Sequence, residues 1–323
     1  MESVDDVDRG LIHALHLDVR APFSVIADVL GVSENTVARR YKRLRQAGVL
    51  RVVGSVNGFL LGRMSWTIRV RCTPDVAAPI ASALARRPDT FWVHILSGGT
   101  EISCNLQAAD TATRDTLLMD KLPRSTRVLD VTAHAILGGA ATEWAGIRHL
   151  TRAQARRLAP EPPTNEPLRL DAEDHAVLAA LAKDGRTPYT ALGPSESAAR
   201  RRVARLRRAG VLVLDLDVRP EALGHHAEAR LWLTVRPAAL KATADTVAAH
   251  PETSFAAVTT GRTNLVATVV CRDAGDLYRY LTERVGGLDD VHTVETAPLM
   301  RTVKRSGLEP VPHAGLGQQV PGV

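Results

Sequence analysis

Apolar positions in the first fifty residues recur at the spacing of three short helices. Val7, Leu11, Ile12 and Leu15 mark one face of a first helix, opened by acidic residues suited to a helix N-terminus. Phe23 to Leu30 predicts a second, with Val25, Ile26, Val29 and Leu30 inward, and Gly31 closes it from the left-handed region. Ser33 then caps a third helix running to about Ala47, where Gly48 stops it. Val37, Tyr41 and Leu44 fall on its inner face at i, i+4 and i+7, while Asn35, Thr36, Ala38, Arg39, Lys42, Arg43 and Arg45 occupy the others.

The same pattern returns later. Ser33 to Leu50 reads SENTVARRYKRLRQAGVL, and Ser195 to Leu212 reads SESAARRRVARLRRAGVL. Leu61-Gly62 pairs with Leu223-Gly224, and Arg87-Pro88-Asp89-Thr90 with His250-Pro251-Glu252-Thr253, at an offset of 162 to 163. A repeat of this length implies a duplicated unit. β-rich stretches follow each helical segment at Val49 to Val56 and Val211 to Val218, the second alternating Leu212, Leu214 and Leu216 against Val213, Asp215 and Asp217.

A mixed unit comes next in each half. The first predicts a strand at Trp66 to Cys72, a helix at Asp75 to Arg86 and strands at Phe91 to Ser97 and Ile102 to Leu106. A helix at Thr111 to Lys121 and a strand at Val128 to Ile136 complete it. The second gives the same order over Ala229 to Val235, Pro237 to Ala249, Thr253 to Thr259, Asn264 to Cys271, Ala274 to Arg284 and Val291 to Ala297. This βαββαβ order is the ferredoxin-like split sandwich. The expected class is therefore α+β: two winged or helix-turn-helix modules, each followed by a ferredoxin-like domain.

The expected boundaries are 1–58 for the first helix-turn-helix domain, 59–150 for the first ferredoxin-like domain, 151–168 for a linker, 169–220 for a second, degenerate helix-turn-helix domain, 221–305 for the second ferredoxin-like domain and 306–323 for a disordered tail. Each sheet's second face reads as apolar enough to need cover, and two sheets packed face to face would supply it.

Length and composition narrow the function. The 323 residues suit two or more domains, and 45% hydrophobic with 24% charged residues is the mix of an ordinary folded protein. A net charge of +6 makes the surface mildly basic and tolerant of polyanions. Cys72, Cys104 and Cys271 are widely spaced and odd in number, which argues against a disulfide framework or a zinc site and fits a reducing cytoplasm. No apolar run reaches the roughly 18 residues of a membrane span, and MESVDDVDRG lacks a signal-peptide pattern. No cofactor, metal site, catalytic residue or membrane partner is expected.

Three helices with a glycine turn before the last form a helix-turn-helix layout. Its partner would be double-stranded DNA. Ser33, Asn35, Thr36 and Arg39 are placed nearest the bases, with Arg40, Lys42 and Arg43 toward the backbone, although Arg40 can instead lean inward and brace the fold. In the second copy the stretch from Arg186 to Ser195 is four residues shorter than that from Arg20 to Ser33, and Gly193-Pro194 takes the place of the turn. Its bracing helix shrinks to little more than Tyr189 to Leu192. Arg200, Arg201 and Arg205 can hold phosphates there, but Glu-Ser-Ala at the reading end is poorly equipped for bases. A purely structural role fits that helix as well.

Asp8 with Asp18-x-Arg20, Ala27-Asp28-Val29-Leu30-Gly31-Val32-Ser33, Val37-x-x-Arg40-x-x-x-Leu44, Gly48-Val49-Leu50 and Thr260-Gly261-Arg262-Thr263-Asn264-Leu265 together resemble the Lrp/AsnC family of transcription regulators. The resemblance covers nearly the whole chain, twice. It implies a homo-oligomer, dimer or higher, and an amino acid or related effector at the hairpin loops Ser97, Gly98, Gly99, Thr100, Glu101 and Thr260, Gly261, Arg262, Thr263, Asn264. The family usually has Asp where Glu101 and Asn264 stand. The same loops also serve as glycine-requiring turns with no ligand.

Siroheme decarboxylases are the alternative, since they resemble these regulators in architecture. Their tetrapyrrole chemistry asks for a His-x-Tyr-x-Arg stretch before the first strand of the α/β unit. Gly62-Arg63-Met64-Ser65-Trp66 and Gly224-His225-His226-Ala227-Glu228 do not complete it. The expected function is a cytoplasmic, sequence-specific transcription regulator rather than an enzyme.

Overall fold

The computed structural model describes residues 4–107, 115, 126–141 and 144–307. Three helices open the chain: α1 (Asp6–Leu17), α2 (Phe23–Leu30) and α3 (Glu34–Gln46). Asp5 and Asp8 form a capping box at the start of α1, each carboxylate accepting from the other's backbone N–H. Gly31, at φ 68°, turns the chain out of α2, a conformation that costs other residues a steric penalty. Ser33 Oγ accepts from Thr36 N at 3.2 Å and starts α3. Leu11, Leu15, Ile26, Val37 and Leu44 close the core between the three.

The rest of the chain runs β1 (Leu50–Val56), β2 (Ser65–Cys72), α4 (Pro74–Ala85), β3 (Thr90–Leu96), β4 (Glu101–Gln107) and β5 (Val128–Ala141). Then come α5 (Arg152–Arg156), α6 (Ala172–Lys183), a 3-10 turn at Tyr189–Ala191, α7 (Glu196–Arg208) and β6 (Leu212–Val218). Last are β7 (Ala227–Val235), α8 (Leu240–Ala249), β8 (Thr253–Thr259), β9 (Leu265–Cys271), α9 (Ala274–Arg279), a π-helical turn at Tyr280–Val285 and β10 (Val291–Lys304). The helix expected over Thr111 to Lys121 lies outside the described residues, Asp115 apart, as does the tail beyond Gly307.

Strands β5-β2-β4-β3 and β10-β7-β9-β8 each follow the ferredoxin-like order, but the two sets do not pack face to face as the sequence suggested. They join at their edges into one closed eight-stranded barrel. The reason lies in two long strands. β5 pairs with β2 through Ile136 and then with β8 from Ile136 to Ala141. β10 pairs with β7 up to Pro298 and then with β3 from Leu299 to Lys304. Each carries a register irregularity at the splice. At Gly139, φ +124°, an added Cβ would lie 2.5 Å from Ala257 Cα, so only glycine permits that approach. Closure leaves no open strand edge on the barrel.

The inward faces are apolar only in part, through a cluster of Ile136, Trp232, Ala257 and Val266. Ile68, Val70, Val93, Ile102 and Cys104 point outward to α4, and Leu231, Leu233, Ala267 and Val269 line the matching core beneath α8. The alternate positions turn inward, and they carry Arg69, Glu101, Ser103, Arg230 and Thr268. The Arg69 guanidinium donates to Glu101 Oε2 at 3.0 Å and reaches Glu295 Oε2 at 2.8 Å.

The two helical segments clasp each other. Arg20 donates to Gly185 O at 2.7 Å and Thr187 O at 3.0 Å, and lies 4.2 Å over the Tyr189 ring. Arg186 returns the contact, donating to Val19 O at 2.6 Å and lying 4.4 Å over Phe23. Arg45 pairs with Asp184 at 2.6 Å, and Arg207 with Asp18 at 3.0 Å. Strands β1 and β6 complete the junction as an antiparallel pair running from Leu50↔Val218 to Val56↔Leu212. The stretch expected as a free linker is docked: Gln154 Nε2 donates to Val29 O, Leu158 is buried with the first helices, and Thr164 N donates to Arg208 O.

Asp174 is fully buried and receives Arg202 at 2.6 Å and Arg205 at 2.7 Å. Burial alone would raise its pKa, yet hydrogen bonds from Arg205, Asp171 N and Arg202 hold it below 3.8. Asp171 is lowered by Arg202, and Asp5 by the Asp8 backbone and Arg40. Carboxylates depressed in the folded state give stability that is complete above 3.8 and lost as pH falls through their lower folded values. Resistance to urea unfolding is expected to weaken below that pH. Asp174→Ala is expected to cost about 2 kcal/mol at neutral pH, less than a fully buried pair because its arginines reach solvent.

Candidate functional site

The outer face of α3 is the first candidate. Asn35, Arg39 and Lys42 are exposed. None has a hydrogen-bond or ion-pair partner among the described residues. Ser33 and Thr36 hydroxyls lie 2.8 Å apart and fix the helix entry. Short polar side chains at that end followed by free cations suit a helix that enters a major groove.

Two of the expected backbone contacts are spent on the fold. Arg40 Nη1 donates to Asp5 at 2.7 Å and to Asp8 at 2.9 Å, and Arg43 pairs with Asp8. The inward option for Arg40 is therefore the one taken, because the start of α1 offers it the buried Asp8 carboxylate beside the exposed Asp5. Arg205 departs in the same way in the second segment, with Arg202 beside it on Asp171 and Asp174. Arg200 bonds Glu196 at 2.7 Å and lies 4.6 Å over Tyr189. Arg201 alone of the three stays exposed without a partner among the described residues.

The two hairpin loops are not brought into one site. Glu101 is bound by Arg69, so its carboxylate is not open to an ammonium group. Asn264 bridges strands: its Oδ1 accepts from Val235 N and its Nδ2 donates to Val235 O, both at 2.8 Å. Thr260 exchanges bonds with Ala135, through N to Ala135 O and Oγ1 from Ala135 N, each at 2.9 Å. Gly261, at φ +101°, has no room for a Cβ, which would meet the His134 ring at 2.2 Å. Arg262 O accepts from Thr234 Oγ1 and Thr263 O from Thr259 Oγ1. Gly98 and Gly99 take positive φ in the other loop, and Thr100 Oγ1 donates to Ser97 O at 2.8 Å. Through Thr260 the second loop fastens to β5 of the other half.

The sequence reading missed a cavity of about 360 Å³ between the barrel mouth and the β1–β6 pair. His16 of α1, Asp215 and Asp217 of β6 and Trp144 form its upper wall. Trp92, His94, Glu228, Arg230, Phe255 and Arg305 form its lower wall. Arg230 is 3% exposed and, among the described residues, donates only to the hydroxyls of Thr268 at 2.8 Å and Ser103 at 3.3 Å. Burial brings its pKa down to about 10 against the pull of Glu228 and Glu101.

Arg305 faces Asp217 at 3.3 Å and Glu228 at 3.6 Å. Burial raises Glu228 and Asp215, and burial with the Arg230 and Arg305 charges lowers His94 well below its ordinary value. One sequence signal was available. Arg230 stands four residues after His226, with Glu228 where the tetrapyrrole motif asks for Tyr, and β7 alternates Glu228, Arg230 and Trp232 against Ala229, Leu231 and Leu233.

An AsnC-type helix-turn-helix domain matches residues 4–45, and an Lrp/AsnC ligand binding domain matches residues 228–308. An uncharacterized HTH-type transcriptional regulator of Pyrococcus abyssi is 29% identical over 145 residues, which are 43% of this chain and 91% of that protein. The HTH-type transcriptional regulator AldR of Mycolicibacterium smegmatis is 32% identical over 116 residues, 33% of this chain and 66% of its own. The siroheme decarboxylase NirDL follows 95% of this chain with 95% of its own at a TM-score of 0.63 and 15% identity. That likeness is one of fold. No described helix is long and apolar enough to cross a membrane.

Asn264→Ala removes two bonds that tie β7 to the β8–β9 loop and leaves both backbone groups of Val235 without them. It is expected to lower stability by about 1–3 kcal/mol in denaturant unfolding without any ligand present.

Proposed function

We propose that the chain is an Lrp/AsnC-type transcriptional regulator that reads a specific DNA sequence through α3, a reading supported by its matches to an AsnC-type helix-turn-helix domain and an Lrp/AsnC ligand binding domain. One observation carries this reading: Asn35, Arg39 and Lys42 stand exposed and unengaged on the helix whose neighbours Arg40 and Arg43 are locked to α1. A rigid helix with a free polar and cationic face binds DNA without reorganising. Arg39 is the base-reading group, and Lys42 meets a phosphate.

The second segment is a degraded copy of the first. Its capped α6, its Arg202 and Arg205 brace and its clasp to the first segment keep the architecture, while Arg201 supplies salt-dependent affinity with little sequence choice. Domains 1–58, 59–150, 169–220 and 221–305 then form a pseudo-dimer within one chain. Two chains present two competent α3 helices to a palindromic site in the cytoplasm. The barrel is the sensor of a small effector, an amino acid or related metabolite.

One observation favours a second reading, the decarboxylase: the course of the whole chain runs with that of NirDL. The absence of a Soret-region change on titration with an iron tetrapyrrole would remove it.

Footprinting on the DNA upstream of its own gene tests the regulator reading. Arg39→Ala is expected to relax choice at one base pair by about 1–3 kcal/mol. Lys42→Ala is expected to weaken all sequences alike and reduce the salt slope by about 1. Unchanged protection by both variants overturns the assignment of α3.

A further inference from the structure

We propose that the cavity between the barrel mouth and the β1–β6 pair binds a small aromatic carboxylate, with its carboxylate on Arg230. The inference deepens the regulator reading by naming a ligand class and a site for it, and it relies on that reading only for the consequence of binding.

Arg230 carries the argument. A guanidinium this deeply buried normally meets a carboxylate, because an uncompensated buried charge is costly. Here its bonded partners are two hydroxyls, Thr268 and Ser103, and no carboxylate pairs with it among the described residues. The carboxylates nearby do not fill the role. Asp217 is shared between Arg51 at 2.8 Å and Arg305 at 3.3 Å, and Glu228 faces Arg305 at 3.6 Å. Asn105 Oδ1 also lines the cavity as a buried acceptor without a partner.

The remaining wall sets the body of the ligand. Trp92, Trp144, Phe255 and Val270 give flat and apolar surface around the polar end, and aromatic faces favour a ring laid against them. The volume of about 360 Å³ lies at the small end of ligand pockets, with room for one or two rings rather than a macrocycle. A guanidinium fork meets a carboxylate in two parallel bonds, so the charge and the ring are recognised together.

The position gives such a ligand a lever. His16 lies on α1 of the DNA-reading segment and Asp215 on β6, while Arg230 and Phe255 lie on the barrel. An occupant touches both bodies at once and fixes one against the other.

The test titrates the full chain with 3-phenylpropionate and with its uncharged amide, read by calorimetry and by tryptophan fluorescence, since Trp92 and Trp144 form part of the wall. The acid is expected to saturate one site, and the amide to bind about tenfold or more weakly, because it cannot use the buried cation. Arg230→Met is expected to abolish that preference, Arg230→Lys to retain part of it, and Phe255→Ala to weaken both probes while keeping the preference. Equal binding of acid and amide, unchanged acid affinity in Arg230→Met, or no saturation by the acid overturns the proposal. The acid and amide comparison on the unaltered chain decides it even if Arg230→Met does not fold. No DNA is present, so a failure here leaves the α3 assignment standing, and a failed footprint leaves this result standing.

Discussion

A β-sheet edge must find a partner, and two strands in this chain answer that demand for the whole molecule. β5 and β10, fourteen residues each, begin in one ferredoxin-like set and finish in the other. Because each splice crosses between halves, neither sheet can be completed without its counterpart. The glycine at 139 and the register shift beside it are what let a strand change partners without breaking its ladder. The hairpin loops at 97–101 and 260–264 lie beside these splices, where Thr260 and Asn264 bond to backbone and Glu101 bonds to Arg69.

Closure also sets the chemistry of the interior. A sheet face that two stacked layers would bury dry instead surrounds an enclosed space, where polar side chains can satisfy one another. Arg69, Glu101 and Glu295 do so completely enough to act as structure. Among the described residues Arg230 donates to hydroxyls alone, with its guanidinium beside the Trp232 and Phe255 rings. The difference in partners between these two inward-facing arginines separates a brace from a candidate binding group.

The helical segments follow the same economy of charge. Each α1-type helix begins with a capping box whose inner aspartate is buried and draws two arginines from the third helix of its segment. Those arginines spend hydrogen bonds on the aspartates and so brace the third helix of each segment against the first. The Arg20 and Arg186 clasp then fixes one segment against the other through backbone carbonyls and aromatic rings, contacts that depend on shape more than on salt.

Much was legible along the chain because it rests on local rules. The apolar period over Val37, Tyr41 and Leu44, the Ser33 cap and the Gly31 stop are decided by neighbours within one or two turns, and the strand and helix order follows from the same short-range pattern. The repeat could be read from the spacing of like residues. What the chain could not disclose were contacts between positions about thirty to two hundred residues apart. The joining of sheets by edges rather than faces, the capture of Glu101 by Arg69 and the isolation of Arg230 each depend on which strand arrives alongside, and strand partnership is a property of the closed barrel. Arginine spacing on a helix tells which side chains share a face, but only the assembled structure decides which of them find a buried aspartate and which remain free to meet something else.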